Sequence, residues 1–206
     1  MGGPRFGVPI VIAEYDPAWP HMFEEERGRI YAACGRDVFV AFEHVGSTAV
    51  PGLAAKPVID MSPCLRSIAG AAPLIPKLEA LGYVYQKWTE SPTPALSGEG
   101  TPFRRYFTKD VDGARRYQVH MVEAGHPWVR DQVLFRNYLR THPETARDYA
   151  DLKRRLAAEY NAGRTDKSNI NVGYTDRKGE FVRAVLRRAR EEIAPGEGAM
   201  PEGMQR

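Results

Sequence analysis

Glu43-His44-Val45-Gly46-Ser47-Thr48-Ala49-Val50-Pro51-Gly52-Leu53-Ala54-Ala55-Lys56-Pro57-Val58-Ile59-Asp60-Met61 is the stretch on which the reading of this chain turns. A β-rich run (Val38, Phe39, Val40, Phe42) leads into a Gly-Ser turn, and a loop closed by Pro51 and Pro57 follows. A second apolar run then opens on Val58 and carries one carboxylate, Asp60. Gly46 tolerates backbone angles that side chains forbid, so the turn can aim N–H groups and the Ser47 and Thr48 hydroxyls at an anion. Asp60, on the neighbouring strand, can hold a hard cation that bridges to the same anion. The layout suits a phosphate plus a metal.

Working outward, Asp16-Pro17-Ala18-Trp19 reads as a helix start with Asp16 as N-cap, and Trp19, Met22, Phe23, Ile30 and Ala33 recur at helical spacing up to Gly35. Val38 to His44 and Val58 to Met61 read as strands, and Ala69 to Leu81 as a helix stopped by Gly82. Tyr83 to Trp88 returns as a strand, and Thr89 to Pro102, rich in Ser, Pro, Gly and Thr, reads as a surface loop. Phe103–Thr108 and Arg115–Val122 form a hairpin around Asp110-Val111-Asp112-Gly113. From about residue 127 the pattern is helical only: Trp128–Arg140, Pro143–Tyr160 and Asp176–Ile193. Residues 194–206 lack a core pattern and read as a disordered tail, leaving 1–193 as one domain.

The chain has 206 residues, 43% hydrophobic and 27% charged, the composition of a soluble globular protein with one core. No apolar run approaches the ~20 residues needed to cross a bilayer, and the N-terminus lacks the apolar core of a secretion signal, so the expectation is a cytoplasmic protein without a membrane partner. Cys34 and Cys64 are too few and too far apart for a disulfide framework or a cysteine-rich zinc site, and read as core residues. Charge is uneven: Pro127 to Arg190 holds fifteen Lys and Arg against eight Asp and Glu, whereas Met1 to Asp60 holds five against eight. That cationic half is either a solvated face or a surface that attracts a phosphorylated partner. No aromatic-interleaved basic strand accompanies it, which argues against a nucleic-acid partner.

A strand ending in Gly-Ser, followed by an acidic residue on the next strand, resembles the signature of the nucleotidyltransferase superfamily. More narrowly, His44 to Asp60 resembles the hallmark of the GrpB family. Three further blocks are similar: Val119–Val122, Phe135–Glu144 and Tyr174–Val182. The resemblance implies an α/β fold, a nucleotidyltransferase-like mixed β-sheet flanked by helices with a helical C-terminal part. It implies metal-dependent transfer of a nucleotidyl group from a nucleoside triphosphate to a small acceptor, with Mg²⁺ or another divalent metal on Asp60. Some GrpB-like sequences are fused to dephospho-CoA kinase, an association with coenzyme A metabolism. A P-loop is excluded here: five residues separate Gly46 from Gly52, and Lys56 arrives late.

The candidate catalytic residues are Asp60, with His120 or His44 as base. The candidate phosphate or nucleotide ligands are Gly46, Ser47, Thr48, Lys56, Lys153, Tyr174 and Lys178; Tyr174 and Lys178 lie one helical turn apart. One feature departs from the superfamily. Two Mg²⁺ ions are normally held by carboxylates at i and i+2 of one strand, and here the i+2 partner of Asp60 is Ser62. Two readings stay open, a nucleotidyltransferase and a protein that binds a nucleotide or phosphorylated metabolite without turning it over.

Overall fold

The computed structural model describes residues 9–87, 103–162 and 172–193. Helix α1 (Trp19–Cys34) is followed by strand β1 (Phe39–Val45), the 46–58 loop, strand β2 (Ile59–Leu65) and a short helix α2 (Ile75–Ala80). Then come β3 (Val84–Tyr85), β4 (Arg104–Val111), β5 (Ala114–Glu123) and helices α3 (Pro127–Thr141), α4 (Pro143–Ala162) and α5 (Val172–Ile193). The strands form one mixed sheet in the order β1-β2-β5-β4-β3. Only β2 and β5 run parallel; the other neighbours are antiparallel. This is the mixed sheet with flanking and C-terminal helices that the sequence leads one to expect.

Alternation along the strands sorts side chains to two faces. Ile59, Met61 and Leu65 of β2, Tyr117, Val119 and Met121 of β5 and Phe107 of β4 pack with Trp19, Phe23 and Ile30 of α1 and Leu78 of α2. The opposite face carries Asp60, Ser62 and Cys64 on β2 and Gln118, His120 and Val122 on β5; Cys64 and Val122 pack there against Val129 of α3. The two cysteines are free and buried, one on each face. The face toward α1 also contains a charge: Glu26 is fully buried and receives Lys109 at 2.7 Å, Arg29 at 2.8 Å and the Tyr83 hydroxyl at 3.1 Å.

Several element boundaries differ from expectation. α1 starts at Trp19 because Asp16 closes a turn ahead of it, its carboxylate and carbonyl accepting the Ala18 and Trp19 N–H groups. β2 continues through Pro63, whose missing N–H falls where the ladder to β5 skips from Met61 to Cys64. The expected 69–81 helix is a 3₁₀ stretch (Ile68–Leu74) running into α2, since Pro73 and Pro76 cannot supply i→i−4 bonds. The hairpin turn narrows to Asp112-Gly113, at φ 51° and 76°, so Lys109 to Val111 join β4. α5 begins at Val172, four residues early, and includes Tyr174. Trp88, the 89–102 loop and the 194–206 tail lie outside the described residues.

Candidate functional site

The cleft of about 160 Å³ on the α3–α5 side of the sheet is lined by the 46–58 loop (Ser47, Thr48, Lys56, Val58), Asp60, Gln118, Lys153, Tyr174 and Lys178. The loop enters it at Gly46, whose φ is +73° and whose Cα lies against Asp60. A Cβ built there would stand 2.5 Å from Asp60 Oδ2. Only glycine meets both requirements. The Thr48 hydroxyl donates to the Val58 carbonyl at 3.1 Å, tying the start of the loop to its end.

His44 completes this tie from beneath. Thr48 has already donated its one proton, so its oxygen accepts from the His44 ring at 3.1 Å, which fixes Nε2 as the protonated nitrogen. The ring is stacked on Phe23 of α1 at 4.6 Å. Burial pushes its pKa down to about 4. His44 thus lies on the sheet face opposite Asp60 and supports Thr48; it does not line the cleft.

His120 is brought to Asp60. Its Nε2 lies 3.5 Å from Asp60 Oδ1, and its Nδ1 faces the Arg104 guanidinium at 3.4 Å. Since guanidinium only donates, Nδ1 accepts and Nε2–H points to the carboxylate. The ring is packed between Tyr106 (4.8 Å) and Trp128 (5.0 Å), and burial lowers its pKa despite the neighbouring Asp60. His120 stands behind the carboxylate, away from the open side.

The lysines are the cleft's dominant charge. Lys153 is 3% exposed; its Nζ donates to the Ala54 carbonyl and sits 4.6 Å from the Tyr149 ring centre. The Lys56 and Lys178 amines lie 4.5 and 5.7 Å from the Tyr174 ring centre. Among the described residues, none of the three is within ion-pair distance of a carboxylate. Burial, reinforced by Lys178, pushes Lys153 down to about 7 and Lys56 to about 8; burial lowers Lys178 too. Three lysine amines thus share one cleft with a single carboxylate.

The sequence-predicted residues Ser47, Thr48, Lys56, Asp60, Lys153, Tyr174 and Lys178 meet here, with Gly46 against Asp60. The sequence reading missed the supports. Tyr149 is buried between Phe135 and Phe181 and sets its ring under the Lys153 amine. Arg140 donates twice to the Ala49 carbonyl (2.7 and 3.0 Å), and Arg136 donates to the His44 carbonyl and to Glu43 (2.7 and 2.8 Å). A signal was available: Tyr149-x-x-x-Lys153 repeats the Tyr174-x-x-x-Lys178 spacing, and Arg136 and Arg140 are also one turn apart.

The donor set does not fit a pair of Mg²⁺ ions. Ser62, at the expected second carboxylate, is fully buried, and its hydroxyl has no partner among the described residues. Asp60 has one oxygen toward His120 and the other against Gly46. Among the described residues no three His, Cys, Asp or Glu side chains gather as metal ligands.

The GrpB protein family matches residues 9–188. The chain belongs to the GrpB family. It is 39% identical over 158 residues to UPF0157 protein YqkA of Bacillus subtilis, 76% of this chain but 42% of that protein's length, so it spans less than half of that relative. It is 38% identical to UPF0157 protein PA4798 of Pseudomonas aeruginosa, covering 87% of this chain and 67% of the relative. The crystal structure of conserved protein GrpB from Enterococcus faecalis superimposes with a TM-score of 0.72 at 30% identity, covering 88% of this chain and 98% of that one. A stretch of dephospho-CoA kinase from Mycolicibacterium paratuberculosis is 30% identical over 160 residues, 71% of this GrpB chain and 39% of the kinase. No described helix of this GrpB protein is long and apolar enough to cross a membrane.

Proposed function

We propose that the cleft binds the phosphate end of a nucleotide or similarly phosphorylated small molecule. The observation that carries this reading is the convergence of Lys56, Lys153 and Lys178 on one polar cleft with a single carboxylate. Keeping three buried amines protonated in one cleft is unfavourable without an anion, and a phosphate among them restores that loss through charge-assisted hydrogen bonds. The Tyr149 and Tyr174 rings steady the amines by cation–π contact without neutralising them. Ser47 adds a hydroxyl to the lining, whereas the Thr48 proton is already given to Val58. The dephospho-CoA kinase relatives bring coenzyme A precursors into the set of ligands to try, beside nucleoside mono-, di- and triphosphates. Thermal-shift titration tests the reading: a ligand at 100 times its dissociation constant adds about 2.7 kcal/mol of stability. Failure of every phosphorylated compound to raise the melting temperature, while Lys153→Met changes nothing, would refute it.

Nucleotidyl transfer is a second reading, favoured by the carboxylate at the cleft backed by His120. In it the Asp60 carboxylate takes the proton of an acceptor hydroxyl, whose oxygen forms a bond to the α-phosphorus as the bond to pyrophosphate breaks; the lysines hold the departing pyrophosphate. Release of pyrophosphate from a triphosphate in the presence of small hydroxylic acceptors, lost in Asp60→Asn, is the expected result.

A further inference from the structure

We infer that Lys56, Lys153 and Lys178 do in this cleft what divalent metal ions do in nucleotidyltransferase-like sites: they hold a terminal, multiply charged phosphate directly, with no metal ion between protein and ligand. The inference rests on the phosphate-binding reading above and says which form of ligand the site takes.

The geometry argues for it from three sides. A metal bridge needs carboxylates converging on one point. Here the i+2 position holds Ser62, sealed under the α3–α5 layer at 0% exposure. The one carboxylate present is already engaged, its oxygens set against His120 Nε2 and the Gly46 backbone. Second, the cleft is cationic before any metal enters it. Three lysines set against one carboxylate leave an excess of positive charge even with Lys153 only partly protonated, which repels a divalent cation and attracts an anion of more than one negative charge. Third, the amines come from three separate elements, the loop (Lys56), α4 (Lys153) and α5 (Lys178), so they surround the cleft. The Tyr174 ring is in reach of two of them and the Tyr149 ring of the third. An anion at the centre takes N–H donors from several directions, which a phosphate monoester or a terminal polyphosphate group accepts with three oxygens. A diester offers one charge and two free oxygens, and satisfies the cage less well.

The test is calorimetric titration of inorganic pyrophosphate and of ATP into the full chain, in EDTA and again with excess Mg²⁺. Mn²⁺ alone is titrated in parallel. The expected result is binding in EDTA at least as tight as in Mg²⁺, and no saturable uptake of Mn²⁺ alone. Lys153→Met and Lys178→Met, checked for folding by circular dichroism, should each weaken pyrophosphate about tenfold or more. Asp60→Asn should leave pyrophosphate affinity unchanged or raise it, because it removes the charge that opposes the anion; a metal-bridged site would lose binding in the same variant. Binding that appears only with Mg²⁺, or that Asp60→Asn abolishes, overturns the inference and leaves the phosphate reading standing. Absence of binding of either probe under both conditions overturns both.

Discussion

At residue 46 two constraints coincide, a left-handed backbone and the flank of Asp60. Gly46→Ala places a methyl carbon 2.5 Å from Oδ2 at a φ of +73°, so either the carboxylate or the loop must move. We expect a loss of about 1–3 kcal/mol in denaturant unfolding. Part of it should return in the Asp60→Ala background, where the carboxylate is gone and only the backbone strain remains; a fully additive double-mutant cycle would show that the two residues do not meet. Lys153 gives a pH signature. Its amine titrates near 7 when folded and at about 10.4 in an unfolded chain, so between these values the unfolded state binds a proton that the folded state does not. Stability of the ligand-free protein should therefore rise as pH increases through that window, for this group, and Lys153→Met should flatten the rise. A bound phosphate, by favouring the ammonium, should flatten it too. Melting temperatures from pH 7 to 10 on both proteins check the point; identical slopes would mean the amine is not held as described. His44 acts at the acid end: with its pKa near 4, stability should fall as pH drops from about 6.5 toward that value, because the unfolded imidazole is protonated first.

Among the elements, the 46–58 loop matters most to the cleft and is the least regular. It is clamped from outside by Arg140 of α3 and from below by His44, while Arg136, one turn before Arg140, holds the end of β1 that feeds it. Arg140→Met removes two donations to one carbonyl, worth about 1.5–3 kcal/mol together when charged. We expect faster amide exchange at Ala49 to Leu53 and weaker phosphate binding with the sheet amides unchanged; protection lost across β1 and β2 instead would assign Arg140 to the core. Much of this region was legible beforehand. The Gly46-Ser47 turn, Asp60 on the next strand and the Tyr174–Lys178 pair are local signals, set by backbone freedom or by helical spacing. The supports were not legible because they depend on which face a residue occupies. His44 and Asp60 look equivalent in sequence, yet a strand alternates, and the register that pairs His44 with Met61 sends His44 toward α1 while Asp60 turns to the cleft. Glu26 was hidden for the same reason: it falls on the apolar side of α1, and its compensating Lys109 arrives from β4, 83 residues later. Strand ends went astray at Pro63 and Lys109–Val111, where residues close to turn signals are held extended by one antiparallel neighbour, β1 at Pro63 and β5 at Lys109–Val111.

At the scale of the molecule, the sheet separates two layers with different tasks. α1 and α2 close an apolar face around Phe107, Met61 and Val119, while α3, α4 and α5 cover a face where polar groups remain open. The C-terminal helices are continuous with the core: Val50, Leu53 and Ala54 of the loop pack with Leu139, Tyr149 and Ala150, and Ile10 packs with Leu156, Ala157 and Tyr174. Two of the three cleft lysines and both tyrosines come from these helices, so the cleft exists only when the loop and the helices are docked. We therefore predict that the folding of the two layers is inseparable. A chain cut before Pro127 keeps every strand but leaves Val50, Leu53, Ala54, Cys64 and Val122 without their covering helices. It should lack the cooperative melt expected of the full chain and fail to bind pyrophosphate, and adding the 127–206 segment in trans should restore both where the two associate. The decisive measurement is calorimetric: if the shortened chain melts in one cooperative transition at the temperature of the full chain, the helices are an appendage, and Lys153 and Lys178 would then sit on a part free to move away from Asp60.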